Sequence, residues 1–151
     1  MSKVSLLVTQ GGADTYTAGT VSTGITLDGK SGWSITGMEA FWVDGAAVAA
    51  ADWSLYAVVG TLPTATTFGS ADEVGRLAWG MQNTAGVAVS LMYEPIKQGF
   101  LVEPRITVQP DIYCQVTSSN TAQANDVIFV IYYDVVKLTD LEVMRLYAGG
   151  A

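Results

Sequence analysis

The amino-acid sequence predicts an all-β protein: an antiparallel β-sandwich of about eight strands, followed by a short C-terminal helix. Three observations support this fold class. Thr, Val, Ile, Tyr, Phe and Trp dominate the patterned segments, Gly, Asp, Asn and Pro separate them, and no helices are interleaved with the strands. Such runs of strands are typical of sandwiches and barrels. At 151 residues, we expect one domain spanning 1–151.

Strand and turn signals alternate through the first half of the chain. Short apolar runs rich in β-branched residues are separated by Gly and Asp, and the sequence DGK at 28–30 is typical of a hairpin turn. The alanine-rich stretch 46–52 is compatible with a single helical turn or an apolar loop. In order, we expect a strand at 3–9, a turn at 11–14, and strands at 15–27, 32–45 and 53–60.

The longest of these segments, GWSITGMEAFWVDG, predicts a strand that bends at Gly37, because a glycine inside a strand often marks a bulge or a bend. Simple alternation divides the large side chains of this strand between two faces. One face carries Trp33, Ile35 and Phe41, and the other carries Met38, Ala40 and Trp42.

The second half begins with a long polar connection, LPTATTFGSADEVG, at 62–75. A loop of that length in a compact domain is often functional or partly ordered by contacts. Proline cannot donate to a sheet ladder, and Pro104 therefore indicates a strand that lies at an edge or carries a bulge. The remaining expected strands are 76–82, 85–95, 99–110, 111–119 and 127–137.

The last predicted strand is apolar on both faces, with Asp134 as the exception. A strand with one solvated face carries polar residues on that face. We therefore expect both faces to be covered, one by the opposing sheet and the other by the C-terminal tail or a neighbouring subunit. The two faces consist of Val127, Phe129, Ile131, Tyr133 and Val135, and of Ile128, Val130, Tyr132, Asp134 and Val136.

The C-terminal tail predicts a short amphipathic helix. The sequence TDLE at 139–142 is a capping box, and two glycines follow the apolar positions. The tail either folds back onto its own sandwich or docks on the next copy of the protein. One side of this helix carries Leu141, Met144 and Tyr147, and the other carries Val143 and Leu146.

Composition and charge exclude several classes of function. The net charge is −7, and the seven Lys and Arg residues are scattered, so the clustered basic footprint of a nucleic-acid-binding protein is absent. No stretch approaches the roughly 20 apolar residues that span a bilayer, and the N-terminal apolar run is too short for a signal peptide. We expect a protein that is made in the cytoplasm, stays soluble there and does not insert into a membrane.

The residues that most enzymes use are largely missing. The sequence has no histidine and a single cysteine, Cys114, so histidine-based catalysis and thiolate zinc sites are excluded within one chain. Distant carboxylates could still pair, and acidic loops could bind Ca²⁺, although no loop has the calcium-loop spacing. The four tryptophans fit core or interface packing better than a sugar-stacking platform. We expect no enzyme activity, no cofactor and no metal.

Four segments carry a resemblance to phage and environmental-virus structural proteins: VAAADW, WGMQNTAGVAV, PRITVQPDIYCQV and VVKLTDLEVMRLYAGG. The chain resembles the single jelly-roll capsid proteins, in which two four-stranded sheets pack face to face. It departs from many of them because it has no basic N-terminal arm, which fits a shell built around a membrane or separate nucleoproteins, or a decorating protein outside the genome layer.

This resemblance implies a structural virion protein that self-assembles into a capsid shell through repeated homotypic contacts, with copies of itself and other virion proteins as partners. The alternative is a carbohydrate- or receptor-binding β-sandwich module of the phage-fibre or lectin type. The predicted subunit-interface residues are Leu141, Val143, Met144, Leu146 and Tyr147 on the tail, and Leu62 and Phe68 in the 62–73 loop.

Overall fold

The computed structural model describes residues 1–26, 29–46, 52–84, 87–89 and 100–149, with the backbone alone at 81–84, 87–89 and 100–103. Nine strands and one helix lie within these ranges. The strands are β1 (Ser2–Thr9), β2 (Thr17–Ser22), β3 (Ser31–Asp44), β4 (Trp53–Gly60), β5 (Glu73–Thr84), β6 (Val87–Val89), β7 (Phe100–Thr107), β8 (Asp111–Ser119) and β9 (Asp126–Lys137), and the helix is α1 (Asp140–Ala148).

The strands form two antiparallel sheets, so the predicted all-β sandwich is confirmed. One sheet has the order β1-β9-β3-β7, and the other has the order β2-β8-β4-β5, with the short β6 added beside β5. The chain changes sheet at most of its connections and forms a hairpin within one sheet between β4 and β5. This is the winding of a jelly roll. In the described part of the chain, no helix is long and apolar enough to cross a membrane.

The core lies between the two sheets and consists of the inward-facing residues of both. Phe129, Ile35, Leu55 and Ile112 are almost completely buried there. Burial of each such side chain contributes roughly 1.5–3 kcal/mol. The core therefore provides a rigid frame, and the outer faces of the sheets are the surfaces available for function.

A β-bulge in β3 corrects the predicted division of its side chains. The register with both neighbouring strands shifts between Ile35 and Gly37, close to the bend that the sequence predicts at Gly37. One extra residue exchanges the two faces from that point onward. Met38 and Ala40 consequently join Ile35 and Trp33 in the core. Phe41, predicted on the face of Trp33 and Ile35, is 42% exposed on the outer face.

Two other predictions about connections have a clear outcome. The strands before and after the DGK sequence, β2 and β3, belong to different sheets and do not form the predicted hairpin with each other, while Asp28 itself lies outside the described residues. Pro104 lies in β7, which is an edge strand, as predicted. The stretches 47–51 and 90–99, where a helical turn or loop and parts of two strands were predicted, lie outside the described residues.

The strand β9 lies between β1 and β3, yet only its inner face is covered within the single chain. Val127, Phe129 and Ile131 are buried, whereas the alternate side chains from Ile128 to Tyr132 remain half-exposed. The prediction that both faces are covered is therefore not met by the isolated subunit. The physical reason is the position of α1, which packs beside the edge strand β7 and leaves the middle of the sheet open.

Candidate functional site

The helix α1 is held in place by its cap and by one apolar face. The Thr139 hydroxyl accepts a hydrogen bond from the Glu142 backbone, and the Glu142 carboxylate accepts from the Thr139 backbone N–H at 2.7 Å, which completes the predicted capping box. These hydrogen bonds lower the pKa of Glu142, and the largest contribution comes from the Thr139 backbone. Val143 is buried and Leu146 is half-buried beside Leu138. The tail therefore folds back on its own sandwich.

The exposed side of α1, adjacent to the docked face at Val143, carries an apolar stripe, here called the helix stripe, which consists of Leu141, Met144 and Tyr147. Residues three apart lie on one face of a helix. Their exposed fractions are 57%, 69% and 51%. A shallow groove of about 300 Å³ runs along Val143, Met144 and Tyr147. The domain therefore presents a row of large apolar side chains to its surroundings from a helix with a capped N-terminus.

The segment 61–72, here called the strap loop, lies across the outer face of the second sheet. The backbone N–H of Thr66 donates to Oε1 of Gln115 at 2.9 Å, and Nε2 of Gln115 donates to the Thr66 hydroxyl at 2.9 Å. Gly60 permits this close approach, because a Cβ at that position would collide with the Thr66 hydroxyl. The N–H of Thr61 donates to the carbonyl of Asp72 at 3.0 Å, so the two ends of the strap loop are also tied together.

Arg76 supports the tip of the strap loop. Its Nε lies 3.0 Å from a carboxylate oxygen of Glu73, and both side chains are largely buried. Its guanidinium lies 5.7 Å from the ring centre of Tyr56 and 5.6 Å from that of Phe68, within cation–π range. Phe68 itself is 81% exposed. The loop therefore holds one aromatic side chain outward above a buried ion pair.

The structure divides the seven predicted interface residues into exposed and covered sets. The three residues of the helix stripe and Phe68 are exposed, Leu62 and Leu146 are half-buried, and Val143 belongs to the buried face of α1. Helix and loop both approach β7, where Ile106 lies beside Leu146 and Arg105 donates to the carbonyl of Ala71. Successive strand residues point to opposite faces, so the two elements reach β7 from different sides.

The remaining candidates for chemistry do not converge. In the described ranges, no group of three or more Asp, Glu or Cys residues is placed to hold a metal ion. Asp72 accepts from the Thr66 hydroxyl, and Glu73, at the start of β5, pairs with Arg76 and accepts from the Gly69 backbone, so both adjacent carboxylates are engaged in holding the strap loop. Burial raises the pKa of the Cys114 thiol to about 12.

The tryptophans contribute to packing. Trp33 and Trp79 are buried in the core, and the Trp33 ring stacks on Tyr133 with 3.6 Å between ring centres. Trp42 and Trp53 are half-buried and contact each other at 5.4 Å in a tilted arrangement. Among the described aromatic residues, Phe68 is therefore better placed than any tryptophan to meet a ligand.

Sequence reasoning missed two features that organise the surface. The first is a polar cluster of Gln10, Asp14, Ser118, Thr121 and Asn125 at one end of the sandwich, linked by side-chain hydrogen bonds. Its residues come from separate loops and strands, so no local sequence pattern predicts this cluster. The second is an apolar row on the outer face of β1, β9 and β3, for which the apolar outer side of β9 was the available signal.

Comparisons with known proteins gave no match: no protein-family model, curated protein or solved structure matches this chain.

Proposed function

We propose that this protein is a structural subunit that self-assembles through repeated contacts between its own copies and forms the capsid shell of a virus particle. The observation that carries the proposal is the helix stripe. Three large apolar side chains, more than half exposed, are held outward by a capped helix whose other face is docked on the domain. The free energy falls when a partner covers such a surface, because its apolar side chains are removed from water.

The physical properties of the chain fit weak contacts that are repeated many times. Only 14% of the residues are charged, and interface cores are depleted of charge. The net charge of −7 keeps free subunits apart until close packing overcomes the repulsion. In a symmetric assembly, a contact that is too weak to hold two copies together acts many times over.

The jelly-roll winding supports a viral shell in particular, because jelly rolls are an architecture of viral capsid domains. The four sequence segments that resemble virus structural proteins point the same way. On this proposal the protein is located in the virion after synthesis in the host cytoplasm, its partners are copies of itself and other virion proteins, and it catalyses no reaction.

Electron microscopy and size-exclusion chromatography with light scattering test the proposal. We expect the purified protein to form rings or closed shells at high concentration. Met144→Glu places a charge in the helix stripe and should leave free subunits, whereas Thr117→Glu places the same charge on an exposed position of β8 in the other sheet and should still assemble. A wild-type protein that stays monomeric at every concentration tested, or a Met144→Glu variant that assembles like Thr117→Glu, would contradict it.

A second candidate function is glycan or receptor binding, since jelly rolls also occur in lectins. It is favoured by a hollow of about 430 Å³ lined by Phe68, Glu73, Arg76 and Arg105, in which an exposed ring adjoins charged groups. Specific binding on a glycan array, lost in Phe68→Ala, would favour this function. Phe68→Ala with unchanged array signals, or no signals at all, would leave assembly as the better account.

A further inference from the structure

The outer face of the β1-β9-β3-β7 sheet carries an apolar row that nothing within the described chain covers. Leu7, Ile128 and Phe41 are directly opposite one another across the three adjacent strands β1, β9 and β3. Leu7 is 56% exposed, and Ile128 is half-exposed although its strand lies inside the sheet. The next two outward residues of β9, Val130 and Tyr132, extend the apolar surface along the strand.

We propose that this face packs against the same face of a second copy, around a two-fold axis that runs parallel to β9. It rests on the proposed self-assembly and names a contact separate from the helix stripe. A two-fold interface must be self-complementary, because each patch meets its own equivalent. The arrangement of side chains across the three strands meets that condition.

The geometry of such a dimer follows from the strand order. A rotation by 180° about an axis along β9 places β9 opposite its own copy and β1 opposite the β3 of the second copy. Ile128 then faces the Ile128 of the other subunit, and Leu7 faces Phe41. The three apolar side chains of each row therefore meet three apolar side chains, and aligned packing of two sheet faces is a common arrangement.

The charges at the two margins are complementary in this arrangement. On the β1 side, Lys3 lies opposite Tyr132 of β9. On the β3 side, Glu39 lies opposite Val130 of β9, two residues closer to Ile128 along the strand. Across the two-fold axis, Lys3 approaches Glu39 of the second copy with an offset of two residues, roughly 6.6 Å along the strand. Glu39 accepts a hydrogen bond from the Tyr132 hydroxyl at 3.0 Å, which fixes the position of its carboxylate.

The size of the face explains why the contact belongs to an assembly. Only β1, β9 and β3 overlap their counterparts in this dimer, and three strands about 4.8 Å apart and about eight residues long cover roughly 14 by 26 Å, on the order of 400 Å². A stable complex buries about 800 Å² on each partner. The two-fold contact alone therefore gives a weak dimer, and contacts at the helix stripe would add the area that a stable particle needs.

Disulfide trapping tests the inference directly. Ile128→Cys places two thiols opposite each other near the two-fold axis, and the native Cys114 is buried and does not compete. Under mild oxidation we expect Ile128→Cys to form a covalent dimer at least tenfold faster than Thr117→Cys, which carries an exposed thiol on the other sheet. Equal rates for the two variants, with both folded by circular dichroism, would overturn the proposal.

A charge exchange provides an independent test of the strand pairing. Lys3→Glu and Glu39→Lys should each slow the trapping of Ile128→Cys, and the two together should restore it, because the pair forms between subunits with either polarity. Failure of the double variant to recover would overturn the parallel two-fold arrangement.

Disulfide trapping of Ile128→Cys in the Met144→Glu background separates the two proposals. Trapped dimers that form no shells would support the two-fold face alone. Shells formed by the parent protein, with no trapped dimers, would support the proposed function alone.

Discussion

Thr66 and Gln115 are joined by a reciprocal pair of hydrogen bonds, each 2.9 Å long, between the middle of the strap loop and the outer face of β8. Both residues are buried. A polar side chain on an outer face is normally solvated, and here the loop replaces the water. The pair therefore determines the position of the loop that carries Phe68.

Gln115→Leu should destabilise the fold and release the strap loop. The substitution leaves the buried N–H of Thr66 without its acceptor, which costs about 1–3 kcal/mol. We expect a lower urea midpoint and rapid protease cleavage within 61–72. Thr117→Leu is the matched control, because Thr117 lies two residues along β8 on the same outer face but is exposed. Its free energy of unfolding should stay within about 0.5 kcal/mol of the wild-type value. Resistance to cleavage in Gln115→Leu would show that the loop is held by other contacts.

The strap loop also shows where prediction from the sequence ends. Strand positions follow from alternation and turn residues, and the two faces of α1 follow from a capping box and a three-residue spacing. Gln115, in contrast, alternates with Cys114 and Val116 in the pattern of a solvated residue. Its burial depends on a loop about 50 residues away in the sequence, and no local pattern encodes that contact.

The bulge in β3 is likewise not encoded by any local sequence pattern. The glycine at 37 indicates an irregularity, but alternation alone does not tell whether a strand bends or gains a residue. The insertion placed Phe41 on the outer face and Met38 in the core. A one-residue shift therefore moved Phe41 from the predicted face of Trp33 and Ile35 into the apolar row, and only the paired strands reveal it.

The N-terminal cap of α1 should weaken in acid. The pKa of Glu142 is lowered in the folded protein, so its carboxylate stabilises the cap above its ordinary value of 4.5, and this contribution is lost as the pH falls through the folded pKa. We expect Glu142→Gln to increase amide exchange in α1 at neutral pH. The difference between Glu142→Gln and the wild type should shrink as the pH approaches 3.

Thr139→Ala provides the companion measurement for the cap. It removes the hydroxyl that accepts from the Glu142 backbone and should cost about 1 kcal/mol. Thr139→Ala should still increase amide exchange in α1 at low pH, because the hydroxyl of Thr139 carries no charge and caps the helix at any pH. An acid response of α1 that is identical in the wild type and in Glu142→Gln would assign the titration to another group.

Asp14 should make a separate contribution to stability that depends on pH. Its carboxylate accepts from the Thr121 backbone at 2.9 Å and from the Thr121 hydroxyl at 3.0 Å, and the backbone hydrogen bond is the main reason that its pKa is lowered. The stabilisation is present above the ordinary value of 3.8 and is lost below it. Asp14→Asn should lower the urea midpoint at pH 7 and have little effect near pH 2.

The left-handed backbone at Asp14, with φ of 56°, also guides the choice of variant. Asparagine tolerates this conformation, whereas substitutions other than glycine would add backbone strain. Asp111→Asn removes one carboxylate from the start of β8 and controls for the change in net charge. Equal loss of stability in acid for Asp14→Asn and the wild type would exclude Asp14 as a source of the pH dependence.

Cys114 should report global unfolding. Its side chain is completely buried between the sheets, and burial raises the pKa of the thiol to about 12, so almost no reactive thiolate exists at neutral pH. We expect an aromatic disulfide reagent to label Cys114 only as fast as the domain opens, with a rate that rises with urea in step with unfolding. Thr117→Cys, three residues along on the same strand, should add a second thiol that reacts at once in buffer. Rapid labelling of the wild-type protein without denaturant would mean that β8 separates from its neighbours locally, and it would contradict a rigid sandwich core.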